Sequence, residues 1–281
     1  MLKLFSAPLC ALILVFGLSS CSDSDDDTAL TGESSDLMVQ QIGESMVSVD
    51  ESSGNNNGTF TRSSFLEAAC SGVSFGACGA TVSATAVKDF NGCTIVNGLV
   101  TVSGTITLTY AGTGSGTCTI PAVGDSVAQV PAFTASLVGN NGSFAASALS
   151  TGQTLTRASS GTFTFANTGI RRVYTSGSGN AIADITTLTT SDITISGTTR
   201  TNRVINGGVL QVTNNLTNEV CNVSPNNVTW TSGSCSCPTS GTWTGTCSTG
   251  QPVSVAFTST CGSVETMYGT ASKTLTIERC N

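Results

Sequence analysis

Twelve cysteines, two tryptophans and no histidine define the chemistry open to this chain of 281 residues. Without histidine a Ser-His-Asp triad is excluded, and the commonest general base and metal ligand are missing. A Ser-Lys dyad could draw only on Lys88 and Lys273, and Ser272 beside Lys273 falls on the opposite face of a strand. A glycosidase needs two carboxylates about 5 to 9 Å apart. Of the acids beyond residue 60, Asp184 and Asp192 are spaced to meet across a hairpin, but pairing with Arg171, Arg172, Arg200 or Arg203 competes. An enzyme is therefore not expected. A net charge of -7 also argues against nucleic acid as partner, because phosphate binding needs a basic stripe.

The N-terminus carries a more specific signal. Lys3 precedes LCALILVFGL (residues 9–18), an apolar run too short to cross a bilayer core of about 30 Å. Residues 1–20 read as a secretory signal. The run closes on Leu18-Ser19-Ser20-Cys21, which resembles the lipobox of bacterial lipoproteins. The competing reading is an ordinary signal peptide followed by a free cysteine. The resemblance implies that signal peptidase II cuts before Cys21, whose thiol then carries a diacylglycerol. The mature chain would hold two or three fatty acyl chains of the palmitate type, and more than one chain is what stable anchoring needs. Ser22, where an inner-membrane lipoprotein usually has aspartate, implies the outer membrane. The acidic run from Ser22 to Asp27 resembles the signal that sends some such lipoproteins to the cell surface; the competing reading is a solvated acidic spacer, which leaves the periplasmic face open.

Export decides what the cysteines do. With Cys10 leaving in the signal and Cys21 acylated, ten remain: Cys70, Cys78, Cys93, Cys118, Cys221, Cys235, Cys237, Cys247, Cys261 and Cys280. An even number in an oxidising compartment predicts disulfides. Proximity favours Cys70 with Cys78, Cys93 with Cys118 and Cys261 with Cys280, leaving two bonds among Cys221, Cys235, Cys237 and Cys247. No metal is expected on those four, because paired zinc ligands normally stand two to four residues apart. No redox role is expected for Cys235-x-Cys237, since nothing nearby is basic enough to lower a thiol pKa. No cofactor is expected either.

Trp230 and Trp243 flank this cysteine turn, each between threonines. Two indoles on a stapled hairpin could stack on a sugar face or fill a partner's pocket, which makes them the candidate ligand-binding residues. The alternative is that both pack inward against the cysteines.

The elements that would position these residues fall into two zones. Residues 22–59 hold nine acids and no lysine or arginine, lack aromatics, and end in Ser-Ser-Gly-Asn-Asn-Asn-Gly. Such a composition cannot bury enough surface to fold, so residues 21–59 read as a disordered, lipidated tether. Within it Met38, Ile42 and Met46, four apart, predict a short amphipathic helix over residues 36–49. A second short helix is expected at residues 63–69 behind Ser64.

From residue 60 to 281 the signal is β. Threonine and serine supply 84 of the chain's 281 residues, a composition that suits wet strand faces and excludes a helical bundle. Residues 99–110, LVTVSGTITLTY, alternate strictly, with Val100, Val102, Ile106, Leu108 and Tyr110 on one face. The pattern recurs around Phe163 and Phe165, Ile193 and Ile195, Leu210 and Val212, Val253, Val255 and Phe257, and Leu275 and Ile277. Asn91-Gly92, Asn97-Gly98, Asn141-Gly142 and Asn206-Gly207 are strong hairpin signals and predict antiparallel connection. Ser-Gly-Thr recurs at 103, 115, 160, 196 and 240 without a fixed period, so no solenoid is expected. The expected fold is all-β: an antiparallel sandwich or a long curled sheet, stapled by disulfides, as one domain or two. The expected function is non-enzymatic: a membrane-anchored surface or envelope lipoprotein with a structural or adhesive role. The alternative is a carbohydrate- or protein-binding module centred on Trp230 and Trp243.

Overall fold

A computed structural model describes residues 74–75, 83–95, 100–137, 142–197, 200–230, 235 and 237–276. The signal, Cys21, the tether, both short helices expected at 36–49 and 63–69, Cys70, Cys78 and Cys280 lie outside these residues.

Eighteen strands follow one another: β1 (Ser74–Phe75), β2 (Ser83–Asp89), β3 (Cys93–Ile95), β4 (Val100–Ala111), β5 (Ser126–Leu137), β6 (Gly142–Ala148), β7 (Gln153–Ser159), β8 (Thr162–Asn167) and β9 (Ile170–Ser176). There follow β10 (Ala181–Ser191), β11 (Ile193–Ser196), β12 (Val204–Asn206), β13 (Val209–Asn214), β14 (Glu219–Thr229), β15 (Ser240–Cys247), β16 (Pro252–Phe257), β17 (Ser263–Tyr268) and β18 (Ala271–Thr276). Two single-turn 3-10 helices, Ser115–Thr117 and Arg200–Asn202, are the only helical pieces among the described residues.

All strands join one sheet, and every described pairing is antiparallel. The sheet is an up-and-down meander of long courses, several of them interrupted midway. β2 and β3 share one course beside β4, where Asp89 faces Thr105 and Cys93 faces Val102. β6 and β7 together flank β5, and β8 with β9 lie against them. β10 and β11 form the next course, β12 and β13 the one after, and β14 pairs with both. Each of β15 to β18 then pairs with its predecessor.

The alternation read from the sequence sets which face is buried. On β4 the five apolar positions from Val100 to Tyr110 are buried and Ser103 is exposed. Phe163, Phe165, Ile193, Ile195, Leu210, Val212, Val253, Val255, Phe257 and Leu275 are all buried, in a single apolar cluster that reaches from β4 to β18. The described residues hold no α-helix to cover that face, so the sheet curls over its own apolar side. This is the curled-sheet form of the expected fold rather than two separate sheets.

Two Asn-Gly pairs do not act as the hairpins predicted. Asn91 and Gly92, with φ of 43° and 70°, sit between β2 and β3, and the chain continues in the same direction beyond them. Asn206-Gly207 likewise separates β12 from β13 within one course. At 91–92 both residues and at 206–207 only the glycine, with φ 63°, take positive φ, a conformation that serves a bulge as well as a tight hairpin, so the dipeptide does not by itself mark a reversal. Of the other two pairs, Asn97-Gly98 and Asn141 lie outside the described residues.

The recurrent Ser-Gly-Thr has a similar explanation. Gly104 has φ 104°, and a Cβ there would sit 2.4 Å from the Ala132 carbonyl oxygen. At Gly241, φ is 91° and a Cβ would meet the Asn227 oxygen at 2.3 Å. These glycines let neighbouring backbones close up at irregularities of the ladder, which follow the bends of the sheet and not a repeat.

Candidate functional site

Trp230 and Trp243 are 1% and 0% exposed, so neither ring offers a face to solvent. On β15, Trp243 stands between Pro225 and Val255 of the adjacent strands, within the apolar cluster. Its indole N–H has no hydrogen-bond partner. Trp230 lies under the guanidinium of Arg203, 5.9 Å from the ring centroid, and Arg203 is itself buried at 4% exposure. Both indoles pack inward, and on β15 the alternation puts Trp243 on the buried side with Thr242 and Thr244 on the other.

The cysteine turn is stapled differently from the expectation. Cys221 bonds Cys247, its direct opposite on β15. Cys235 bonds Cys261, so Cys261 does not pair with Cys280, and Cys235 finds no partner among Cys221, Cys237 and Cys247. Sequence proximity failed here because β16 carries the chain back from Cys247, so that Cys261 comes to the same end of the sheet as Cys235. Cys93, Cys118 and Cys237 are also disulfide-bonded, and no described cysteine is free. Glu219, Cys221 and Cys247 bring three donor atoms within 4.8 Å of one another, but the two sulfurs are bonded together and offer no thiolate to a metal. Glu219 instead accepts hydrogen bonds from the Tyr268 hydroxyl and, at 2.8 Å, from the Thr249 hydroxyl. Burial, followed by the adjacent carboxylate, pushes the Tyr268 phenol above its ordinary range.

Two buried acids are the most elaborated polar positions; sequence reading missed what Asp125 does and foresaw only the arginine partner of Asp184. Asp125, 3% exposed, closes the loop that leads from β4 to β5. Its carboxylate accepts from the Thr113 N–H at 2.9 Å, the Thr113 hydroxyl at 2.8 Å, the Gly114 N–H at 3.3 Å and the Ala122 N–H at 3.0 Å. Burial by itself would raise its pKa, but these four donors together hold it below the ordinary 3.8. Gly112 makes room for it, since a Cβ there would lie 2.0 Å from a carboxylate oxygen.

Asp184 lies on β10, which is buried on both faces from Ala183 to Thr187. Arg171 grips it with two hydrogen bonds, Nε to Oδ1 at 2.8 Å and Nη2 to Oδ2. The Asn215 side chain donates to it at 2.8 Å, and the Asn215 N–H donates to its carbonyl at 2.7 Å. Arg171 first, and Asn215 after it, hold the carboxyl below its ordinary value against the opposing effect of burial. Asp192 is not its partner. The two acids lie along one course, eight residues of extended chain or about 26 Å apart, and not across a turn. Arg171 was weighed as the competing partner and is the one found; Asn215 left no signal in the sequence.

Ser272 and Lys273 face Met267 and Thr266 in turn, as neighbours on opposite sides of β18. What these clusters can do chemically is fasten loops to the sheet: each buried carboxylate is surrounded by donors of its own chain. No described helix is long and apolar enough to cross a membrane, which leaves strand-based crossing unaddressed. Comparison with protein-family models, with curated proteins and with solved structures returns no match.

Proposed function

We propose that this chain is a non-enzymatic lipoprotein of the bacterial outer membrane, held by lipid on Cys21 and displayed at the cell surface, where its β body serves adhesion or envelope architecture. The observation that carries the non-catalytic part is that Asp125 and Asp184 are saturated by Thr113, Gly114, Ala122, Arg171 and Asn215, which leaves neither carboxylate poised to move a proton for a substrate. The anchor rests on Leu18-Ser19-Ser20-Cys21, and the standoff on the nine acids of the tether. A flexible tether of that length reaches roughly 35 Å, and like charges extend it. The disulfides and the curled sheet suit a body exposed to proteases and shear. With both indoles buried, the glycan- or protein-binding reading keeps no observation of its own.

Protease and a membrane-impermeant amine-reactive biotin applied to intact cells test the placement. Digestion and labelling without permeabilisation are expected, and loss of the chain should reduce attachment of cells to a surface or to one another. Protection until the outer membrane is opened would overturn surface display.

A further inference from the structure

We infer that Asn91 is a site of spontaneous covalent modification, at which this body ages by deamidation, and that the fold protects the equivalent dipeptide at Asn206. Asn91 and Gly92 form the exposed tip of the bulge between β2 and β3. Glycine at 92 leaves its own nitrogen sterically open, and a Cβ added there would find only the Ser103 hydroxyl, at 3.8 Å. The Asn91 side chain makes no hydrogen bond among the described residues; only its backbone N–H is engaged, by the Asp89 carboxylate at 2.9 Å.

The reaction needs nothing but water. The Gly92 backbone nitrogen attacks the Asn91 side-chain carbonyl carbon and forms a C–N bond. The bond from that carbon to Nδ2 breaks, and ammonia departs with the proton that the Gly92 nitrogen gives up. Water then opens the cyclic imide at either carbonyl, giving aspartate or isoaspartate at position 91. The isoaspartyl product lengthens the backbone by one carbon inside a bulge bound on both sides, by Phe90 N–H to the Gly104 oxygen at 3.0 Å and Cys93 N–H to the Phe90 oxygen at 2.9 Å. Either product places a new carboxylate beside Asp89.

Asn206-Gly207 has the same sequence and a different fate. The Asn206 amide donates to Asn227 Oδ1 at 3.1 Å, and its oxygen accepts from the Asn227 N–H at 2.6 Å. Both ends of the amide that must rotate and react are tied to β14. Breaking those two hydrogen bonds before attack slows Asn206 by roughly tenfold or more relative to Asn91.

The test incubates the oxidised mature protein at mildly alkaline pH, digests samples under acid conditions, and follows the amide-to-acid mass gain at each asparagine by peptide mass spectrometry. Asn91 should convert ahead of Asn206, with roughly a tenfold lead. The lead should vanish in reduced, denatured protein, and Asn227→Ala should speed Asn206 in the folded chain while leaving Asn91 unchanged. Gly92→Ala should slow Asn91. Equal rates at the two sites in folded protein, or no conversion at Asn91, would overturn the inference.

Discussion

Replacing Asp125 should loosen the β4 to β5 loop more than any other single polar change. Asp125→Ala leaves the N–H groups of Thr113, Gly114 and Ala122 without their acceptor. An unsatisfied donor that is buried or half-buried costs about 1 to 3 kcal/mol. Taken at the low end, because part of the loop can reach water, the loss is about 3 to 5 kcal/mol. For a body of this size each kcal/mol moves the midpoint about 2 to 4 °C, so thermal unfolding followed by circular dichroism should fall about 6 to 20 °C. Asp125→Asn keeps one acceptor oxygen and should lose about 1 to 2 kcal/mol. The pH dependence adds a second check. The folded-state pKa of Asp125 lies below the ordinary 3.8, so its carboxylate stabilises the fold fully above that value and loses this contribution as pH falls through the folded pKa. The gap between parent and Asp125→Asn should hold steady from neutral pH down to the ordinary carboxylate range and shrink below it. A midpoint for Asp125→Ala within about 2 °C of the parent, or a gap that ignores acid, would refute the reasoning.

Other perturbations probe separate parts of the account. Trp243→Ala should cost about 3 to 5 kcal/mol, whereas the indole emission of the parent should stay blue-shifted and unmoved by added oligosaccharides; a glycan-dependent shift would return the indoles to candidacy. Gly241→Ala, which drives a Cβ to 2.3 Å from the Asn227 oxygen, should destabilise far more than Gly250→Ala, where φ is 81° but nothing lies within 4 Å; equal melting shifts would contradict the close approach of β14 and β15. Cys235→Ser opens a loop with a sequence separation of 26 and should cost about 3.5 kcal/mol in the chain-entropy account. Non-reducing peptide mapping of the parent should recover Cys235 linked to Cys261 and Cys221 linked to Cys247, and a peptide linking Cys261 to Cys280 would contradict the fold of the cysteine turn.

The all-β architecture was legible because one physical pattern repeats with little noise. Val100 to Tyr110 alternate with threonine and serine over the whole of β4, and only a strand with one buried face satisfies that period. Connection was harder. Asn-Gly reports a glycine at positive φ, and the pairs at 91 and 206 interrupt a strand course instead of reversing it. Cys221 and Cys247 stood unassigned in a group of four, and only the register of β14 against β15 sets them face to face. Cys235 and Cys261 were hidden, because their approach depends on the intervening path out along β15 and back along β16. Asp125 was the least visible. The acceptor and the Thr113 and Gly114 donors stand apart in sequence, and only the loop's closure brings them together. Trp230 and Trp243 show the reverse limit, since a Thr-Trp-Thr run fixes that the indole leaves its threonines, but which side faces solvent is decided by the curl of the sheet.

The anchor is the claim on which placement and role depend, and the mass of the mature N-terminal peptide tests it most directly. Protein isolated from the outer membrane should begin at Cys21 and carry fatty acyl mass on that residue, and Cys21→Ala should release an unprocessed or soluble chain. A mature terminus elsewhere, or an unmodified Cys21 thiol, would contradict the account.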